Sequence, residues 1–303
     1  MSIILRNKNI YVYRVKSRIQ RYVYGDFFLL EKYLKLKEAI MKIIGGLPAG
    51  NVGLFKKVFI ETVSYCNNDC AFCPASSKSG VKKPQHLMAE DLYLKILNEL
   101  ADISFAGSLA FHCNNEPLLD KRLVRLIGIA RGILKNNYFY LYTNGILINP
   151  ALASQLFSAG LNRIIINNYN DDHELIPSVK EMVDKASALR GELIVNYRFK
   201  NEYLENRAGE NPVARMILRK PLKIICTRPL SEIVVGYDGT VPLCCADGLW
   251  KVVMGNAGDS SLQDIWFSAP FKNARESLAG GDRSCAEICK FCDALHFPAV
   301  RGI

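Results

Sequence analysis

Between residues 54 and 225 the spacing of apolar positions keeps changing period. The run 57–64 (KVFIETVS) is β-rich, and 90–100 repeats at helical spacing. A short strand is expected over 109–113, a helix over 121–134, and a strand over 139–143 that stops at Asn144-Gly145. A helix over 150–159, a strand over 163–167, a helix over 176–189 and a strand over 193–199 follow. This repeated βα order predicts an α/β fold, a parallel sheet with helices outside it. The regular spacing favours a full or partial barrel over an open sheet.

The flanks differ from this middle. Residues 1–45 read mostly as helix, with aromatic and aliphatic residues interleaved with Lys and Arg, until Gly45-Gly46, Pro48 and Gly50 break the pattern. Residues 226–303 have few long periodic segments and carry six of the ten cysteines. Asp238-Gly239 lies between two β-rich runs and predicts a hairpin. The expected organisation is a basic, mostly helical arm over 1–52, a βα core over 53–225, and a small Cys-rich lobe held by metal over 226–303.

Composition narrows the classes. The chain of 303 residues is 50% hydrophobic and 22% charged, which suits a globular protein and excludes collagen-like, coiled-coil and wholly disordered readings. No apolar run approaches the ~20 residues of a membrane span. The start lacks the order of a signal peptide, so the expected location is cytoplasmic and the cysteines are expected to be ligands or reactive thiols. The net charge of +10 is concentrated: residues 1–50 hold ten Lys/Arg and three acids. Such an arm packs as a solvated helix, or makes peripheral membrane contact, or attracts a phosphorylated substrate. No RNA-binding signature accompanies it, and no nucleic acid partner is expected.

The candidate chemistry lies in the cysteines. Cys66, Cys70 and Cys73 form C-x3-C-x2-C just after the first strand of the βα series. Three thiolates on one loop leave a tetrahedral zinc site incomplete. On a [4Fe–4S] cube they leave one iron open. With Phe72 before the last cysteine, this motif resembles that of the radical S-adenosylmethionine (SAM) superfamily. The resemblance implies a partial (β/α)6-type barrel and a [4Fe–4S] cluster on Cys66, Cys70 and Cys73. Its open iron would bind SAM and, once reduced, yield a 5′-deoxyadenosyl radical that takes hydrogen from a substrate carbon. An electron donor such as flavodoxin or ferredoxin is implied.

The resemblance also implies SAM contacts. Asn115-Glu116-Pro117 is similar to the family's Gly-Glu motif, with Asn115 in place of Gly. Asn144 ends the third strand, Asn167 falls where a ribose contact is expected, and Arg198 is placed to meet the SAM carboxylate.

The second constellation is Cys226, Cys244-Cys245 and Cys285-x3-Cys289-x2-Cys292. It resembles the SPASM/twitch extension, which binds auxiliary iron–sulfur clusters. Six cysteines are too few for two four-cysteine clusters, so one auxiliary [4Fe–4S] cluster is implied, with Cys226, Cys244, Cys289 and Cys292 as ligands. The C-x2-C at 289–292 also admits zinc. Cys245 and Cys285 are then spare, and Cys113 is a third extra thiol. A thiol beside a substrate radical can return hydrogen to the opposite face, as in radical SAM epimerases; Cys245 and Cys285 are the candidates. A dehydrogenase needs a base and an electron acceptor instead, and His112 and Asp247 are candidate bases by position.

The leading reading is thus a radical SAM enzyme that epimerises or dehydrogenates a sugar-like metabolite or, given the basic arm, a nucleotide- or lipid-linked sugar. The alternatives are a maturase of a ribosomally made peptide, and a zinc-stabilised protein that binds nucleic acid or membrane.

Overall fold

The computed structural model describes residues 2–6, 9–13, 53–74, 85–170, 174–197, 205–211 and 220–294. The middle of the chain follows its hydrophobic pattern. Strands β3 (Lys57–Ile60), β4 (Ser108–Ala110), β5 (Tyr138–Thr143), β6 (Arg163–Asn168) and β7 (Glu192–Tyr197) lie side by side in chain order, every pair parallel. Helices α1 (Glu90–Asp102), α2 (Leu123–Ile133), α3 (Pro150–Ser158) and α4 (Pro177–Asp184) connect them. Parallel neighbours need such crossovers, because a tight turn only joins antiparallel strands.

The strands alternate between two environments. Val58 and Ile60, like Phe139 and Leu141, are buried against the helices. Helix α1 buries Tyr93, Ile96, Leu97 and Leu100, the 3-4 spacing of one helical face. Each such side chain contributes about 1.5–3 kcal/mol relative to exposure. The Tyr93 hydroxyl, buried with it, donates to the Leu126 carbonyl at 2.9 Å. The opposite strand face carries rings: His112 sits 5.5 Å from Phe59, 5.5 Å from Tyr140 and 4.6 Å from Tyr142.

A sixth parallel strand comes from the C-terminal region. β8 (Glu232–Val235) pairs with β3 on its free side, and Lys57 Nζ lies 3.3 Å from Glu232 Oε1 across that pair. The Asp238-Gly239 turn forms, with Gly239 at φ 87 and Gly236 N–H donating to the Thr240 carbonyl. Its two arms do not form one hairpin ladder. β8 stays in the parallel sheet, whereas β9 (Thr240–Pro242) pairs antiparallel with β10 (Val253–Asn256). The reason is burial: three apolar residues in a row, Ile233-Val234-Val235, are all buried, as a parallel strand covered on both faces requires.

The remaining C-terminal helices, α5 (Leu262–Phe267), α6 (Ala269–Ala279) and α7 (Glu287–Lys290), pack onto the core. Trp266 Nε1 donates to the Gly53 carbonyl at 3.1 Å, and its ring meets Phe55 edge-on. Glu99 of α1 accepts from the Leu262 amide at 3.0 Å.

The helical reading of the N-terminus is corrected at its start. Residues 2–6 (SIILR) and 9–13 (NIYVY) are strands β1 and β2, paired antiparallel, and β1 also pairs antiparallel with β7. Consecutive Ile, Val and Tyr favour a pleated strand over a helix. The rest of that reading, over 14–52, lies outside the described residues. Among the described residues no helix is long and apolar enough to cross a membrane.

Candidate active site

Parallel strands present their C-terminal ends on one side of the sheet, where ligands of such folds bind. The loop after β3 carries Cys66, Cys70 and Cys73 to that side. It is held at its base by Ser64, whose amide donates to the His86 carbonyl at 3.0 Å, and whose hydroxyl accepts from the His86 amide at 2.9 Å. Further on, the Tyr65 carbonyl accepts from the Glu116 amide at 3.0 Å, and the Cys70 carbonyl from the Cys73 amide at 2.9 Å. The three thiols line one cavity of about 240 Å³ with Asn115, Asn144 and Asn167. Burial pushes the Cys66 thiol up from its usual range.

Most strand-end residues singled out in the sequence meet in this cavity. Asn144 Nδ2 donates to Asn67 Oδ1 at 2.8 Å and lies 3.6 Å from Cys66 Sγ, so the end of β5 is fastened to the cysteine loop. Gly145 follows at φ 82; a side chain there would strike Val179 and Ile166. Glu116 is buried, and its carboxylate accepts from Thr143 Oγ1 at 2.7 Å and from the Asn144 amide at 2.8 Å. It therefore organises the ends of two strands. Burial raises its pKa, against the pull of those hydrogen bonds. Asn167 accepts from Asn196 Nδ2 at 2.9 Å and donates to the Tyr169 hydroxyl. The rings of Phe72 and Tyr169 meet at a tilt, with centroids 5.3 Å apart. Arg198 lies outside the described residues.

A second cavity of about 280 Å³ adjoins the first and shares Phe72, His112, Cys113 and Arg207 with it. Its other walls include Glu205, Arg228 and Cys245. Cys113 Sγ lies 3.9 Å from the Cys245 carbonyl. Burial pushes the Cys245 thiol up to about 11, so it keeps its hydrogen at neutral pH. Burial also pushes His112 down to about 3, and its Nδ1 accepts from the Tyr142 amide at 3.1 Å. The ring is thus neutral with its proton on Nε2, a donor into the cavity and not a base. Asp247 reaches neither cavity. It is buried, and its carboxylate accepts from the Lys251 and Val252 amides, both at 2.8 Å.

A third cavity is lined by Cys226, Cys244, Cys289 and Cys292, with Arg228 and Arg283 beside them. Burial pushes the Cys244 and Cys292 thiols up. None of the ten cysteines is in a disulfide. Cys285 differs from the rest: it is exposed and lines none of these three cavities, whereas Cys245, the other candidate hydrogen donor, lines the second. Cys285 meets solvent because 284–286 precede α7, whose buried side carries Ile288 and Cys289.

Sequence reasoning missed the loop 205–211. Arg207, Ala208 and Gly209 stand consecutively in the left-handed region, at φ 48, 59 and 84. For the two non-glycine residues this costs of order 1–3 kcal/mol each. Asn206 holds the loop in place: its amide donates to Asp293 Oδ1 at 2.8 Å, and its Nδ2 donates to the Phe291 carbonyl. Glu205 pairs with Arg228 at 2.8 Å. No spacing motif marks these residues.

This fold and these two cysteine sets define the class. The radical SAM superfamily profile matches residues 60–186, and that of the SPASM iron–sulfur cluster-binding domain matches residues 226–293. The chain is a radical SAM enzyme with a C-terminal SPASM-type region, and its cofactors are SAM, the [4Fe–4S] cluster that binds it, and an auxiliary iron–sulfur cluster. It is 28% identical over 240 residues to the S-adenosyl-L-methionine-dependent 2-deoxy-scyllo-inosamine dehydrogenase of Niallia circulans, covering 79% of this chain and 93% of that one. The crystal structure of BtrN in complex with AdoMet and 2-DOIA is similar at TM-score 0.68 and 27% identity, over 80% of this chain and 94% of that one. The GTP 3′,8-cyclase of Trichormus variabilis is 31% identical over 110 residues, 36% of this chain and 33% of the cyclase. Streptococcus suis SuiB bound to precursor peptide SuiA shares the fold, at TM-score 0.50 and 14% identity over 79% of this chain and 69% of that one.

The residues present fit these groups. In the first cavity Asn115 Nδ2 and Arg207 Nε are buried N–H groups with no hydrogen-bond acceptor among the described residues. Acceptors on a bound ligand would satisfy them, and leaving such donors unpaired is costly. In the third cavity, four thiols and two arginines suit an anionic cluster. Among the described residues no three His, Cys, Asp or Glu gather tightly enough for a single metal ion. Four sulfurs spread around a cavity suit a cluster, in which each thiolate binds its own iron, better than a zinc that draws all its ligands to one centre.

Proposed function

We propose that this protein dehydrogenates a hydroxyl-bearing carbon of a small, polyhydroxylated, sugar-like molecule. Cys66, Cys70 and Cys73 hold the SAM-binding cluster, and Cys226, Cys244, Cys289 and Cys292 hold the auxiliary one. When bound, the first cluster with SAM supplies the radical that removes a hydrogen atom, and the auxiliary cluster supplies an acceptor for the second electron. The observation that carries the reading is the central chamber. It shares four side chains with the SAM-side cavity and Arg228 with the third cavity. A substrate in it lies within reach of both.

The chain's own residues then have separate tasks. Phe59 and Phe72 give the chamber apolar walls. Arg207 and the neutral His112 offer N–H donors to substrate oxygens. Glu205 is the carboxylate that takes the hydroxyl proton as the carbonyl forms. The chamber, at about 280 Å³, is at the small end of ligand pockets, which supports a single ring over a peptide. The similarity to a 2-deoxy-scyllo-inosamine dehydrogenase supports an amino-substituted cyclic polyol as the substrate class.

One observation favours a second reading, epimerisation. Cys113 and Cys245 both line the chamber, and Cys245 is held as a thiol. Anaerobic turnover in D2O with SAM, a reductant and a panel of aminocyclitols and monosaccharides separates the two. Oxidation gives 5′-deoxyadenosine and a product two hydrogens lighter. A product with an unchanged hydrogen count, in which one carbon-bound hydrogen is replaced by solvent deuterium, would establish epimerisation instead.

A further inference from the structure

Arg228 occupies a singular position. It starts the 3-10 turn Arg228–Leu230, two residues after Cys226, and its side chain lines both the central chamber and the four-cysteine cavity. It is mostly buried, at 12% side-chain exposure. Its Nη2 donates to Glu205 Oε2 at 2.8 Å, and Glu205 lines the chamber but not the cysteine cavity. The guanidinium thus stands between a carboxylate on the substrate side and thiols on the other.

The second arginine of that cavity is used differently. Arg283 spends its donors on backbone carbonyls, those of Cys292 at 2.9 Å, Ala294 at 2.7 Å and Ile224 at 3.2 Å. It braces the chain around the cysteines. Arg228 accepts no such duty in its described side-chain bonds, and carries its charge between the two sites.

We propose that Arg228 is the charge that sets the reduction potential of the auxiliary cluster from the substrate side, and that Glu205 holds and moderates it. The proposal rests on the reading of Cys226, Cys244, Cys289 and Cys292 as the ligands of that cluster. Reduction adds a negative charge to a centre that thiolates already make anionic. A fixed positive charge at its edge, inside a poorly solvated wall, favours the reduced form. The Glu205 carboxylate opposes that effect and fixes the guanidinium in a geometry that lysine matches only as a point charge. The electron that leaves the substrate is thus drawn toward the side on which Arg228 stands.

The test is a redox titration followed by electron paramagnetic resonance. The background is the full chain with C66A/C70A/C73A, so that the auxiliary cluster alone gives a signal. Iron analysis comes first: about four irons per chain are expected in that background. No iron there would overturn the ligand reading, and with it this proposal. With the cluster present, R228Q is expected to lower the ratio of reduced to oxidised cluster at a fixed potential by about tenfold, equivalent to about 59 mV for one electron. R228K is expected to restore most of that ratio, and E205Q to raise it above the parent. A merely structural role would move R228K and E205Q in the same direction as R228Q. That pattern, or an unmoved midpoint in R228Q with its iron retained, would overturn the proposal while leaving the ligand reading intact. Should R228Q fail to hold iron, E205Q decides by the sign of its shift.

Discussion

Arg207 Nη2 donates to the carbonyl of Cys245 at 3.1 Å, so the loop before the SPASM-type region is tied to the residue beside the third cavity. The same nitrogen donates to Asn114 Oδ1, on the loop after β4. One guanidinium thereby spans the SAM-side cavity and the chamber. R207K keeps the charge but loses the planar guanidinium, both the Nη2 that makes these bonds and the buried Nε. Charge-assisted hydrogen bonds contribute about 1.5–3 kcal/mol. The variant is therefore expected to lose about ten- to a hundred-fold in kcat/KM at unchanged iron content. Steady-state turnover beside iron analysis checks this.

Glu205 is the carboxylate that lines the chamber. E205Q keeps the shape and removes the proton acceptor. General-base removal costs typically 10²–10⁴-fold, so oxidised product is expected to fall by roughly that factor. Cleavage of SAM to 5′-deoxyadenosine is expected to continue, because Glu205 does not line the SAM-side cavity. The ratio of the two products, measured by mass spectrometry, gives the outcome; a parallel fall of both would contradict the assigned role.

The sequence leaves the choice among the last cysteines open, and exposure resolves how they are placed. Cys285 meets solvent whereas Cys289 is buried beside Cys226, Cys244 and Cys292. The contact between the two pulls the Cys285 thiol down and pushes the Cys289 thiol up. C285S is expected to keep the iron and absorbance of the parent. C289S is expected to lose the auxiliary cluster, about four irons per chain.

Arg283 is 1% exposed and its donors are taken by carbonyls around the third cavity. R283Q leaves several of those carbonyls unpaired, at about 1–3 kcal/mol each. Thermal denaturation is expected to show a fall of several degrees. R125Q is the control: Arg125 is exposed and among the described residues pairs only with Glu90, an interaction of about 0–1 kcal/mol. Equal effects of the two changes would contradict the account of Arg283.

What could be read in advance was local. The period changes along 57–197 gave the parallel strands and their helices, since each strand buries one face against a helix and shows it in its alternation. The spacing of Cys66, Cys70 and Cys73 is compact enough to define one loop, and Asn144 and Asn167 fall at strand ends. The hairpin expected at Asp238-Gly239 failed because a turn signal does not say which sheet each arm will join; the burial of Ile233, Val234 and Val235 decided that. Arg207, Glu205 and Arg228 had no sequence signal for a different reason. The position of Glu205 and Arg207 depends on Asn206 and Asp293, 87 residues apart, bonding across the fold. The left-handed backbone of Arg207 and Ala208 is equally invisible in sequence, since neither residue favours it.

The proposed function places two clusters, on two cysteine sets, on either side of one chamber. Iron and sulfide per chain, after anaerobic reconstitution, test it most directly. The parent is expected to hold about eight irons. The C66A/C70A/C73A variant and the C226A/C244A/C289A/C292A variant are each expected to hold about four. Eight irons retained in either variant, or stoichiometric zinc with little iron in the parent, would contradict the account.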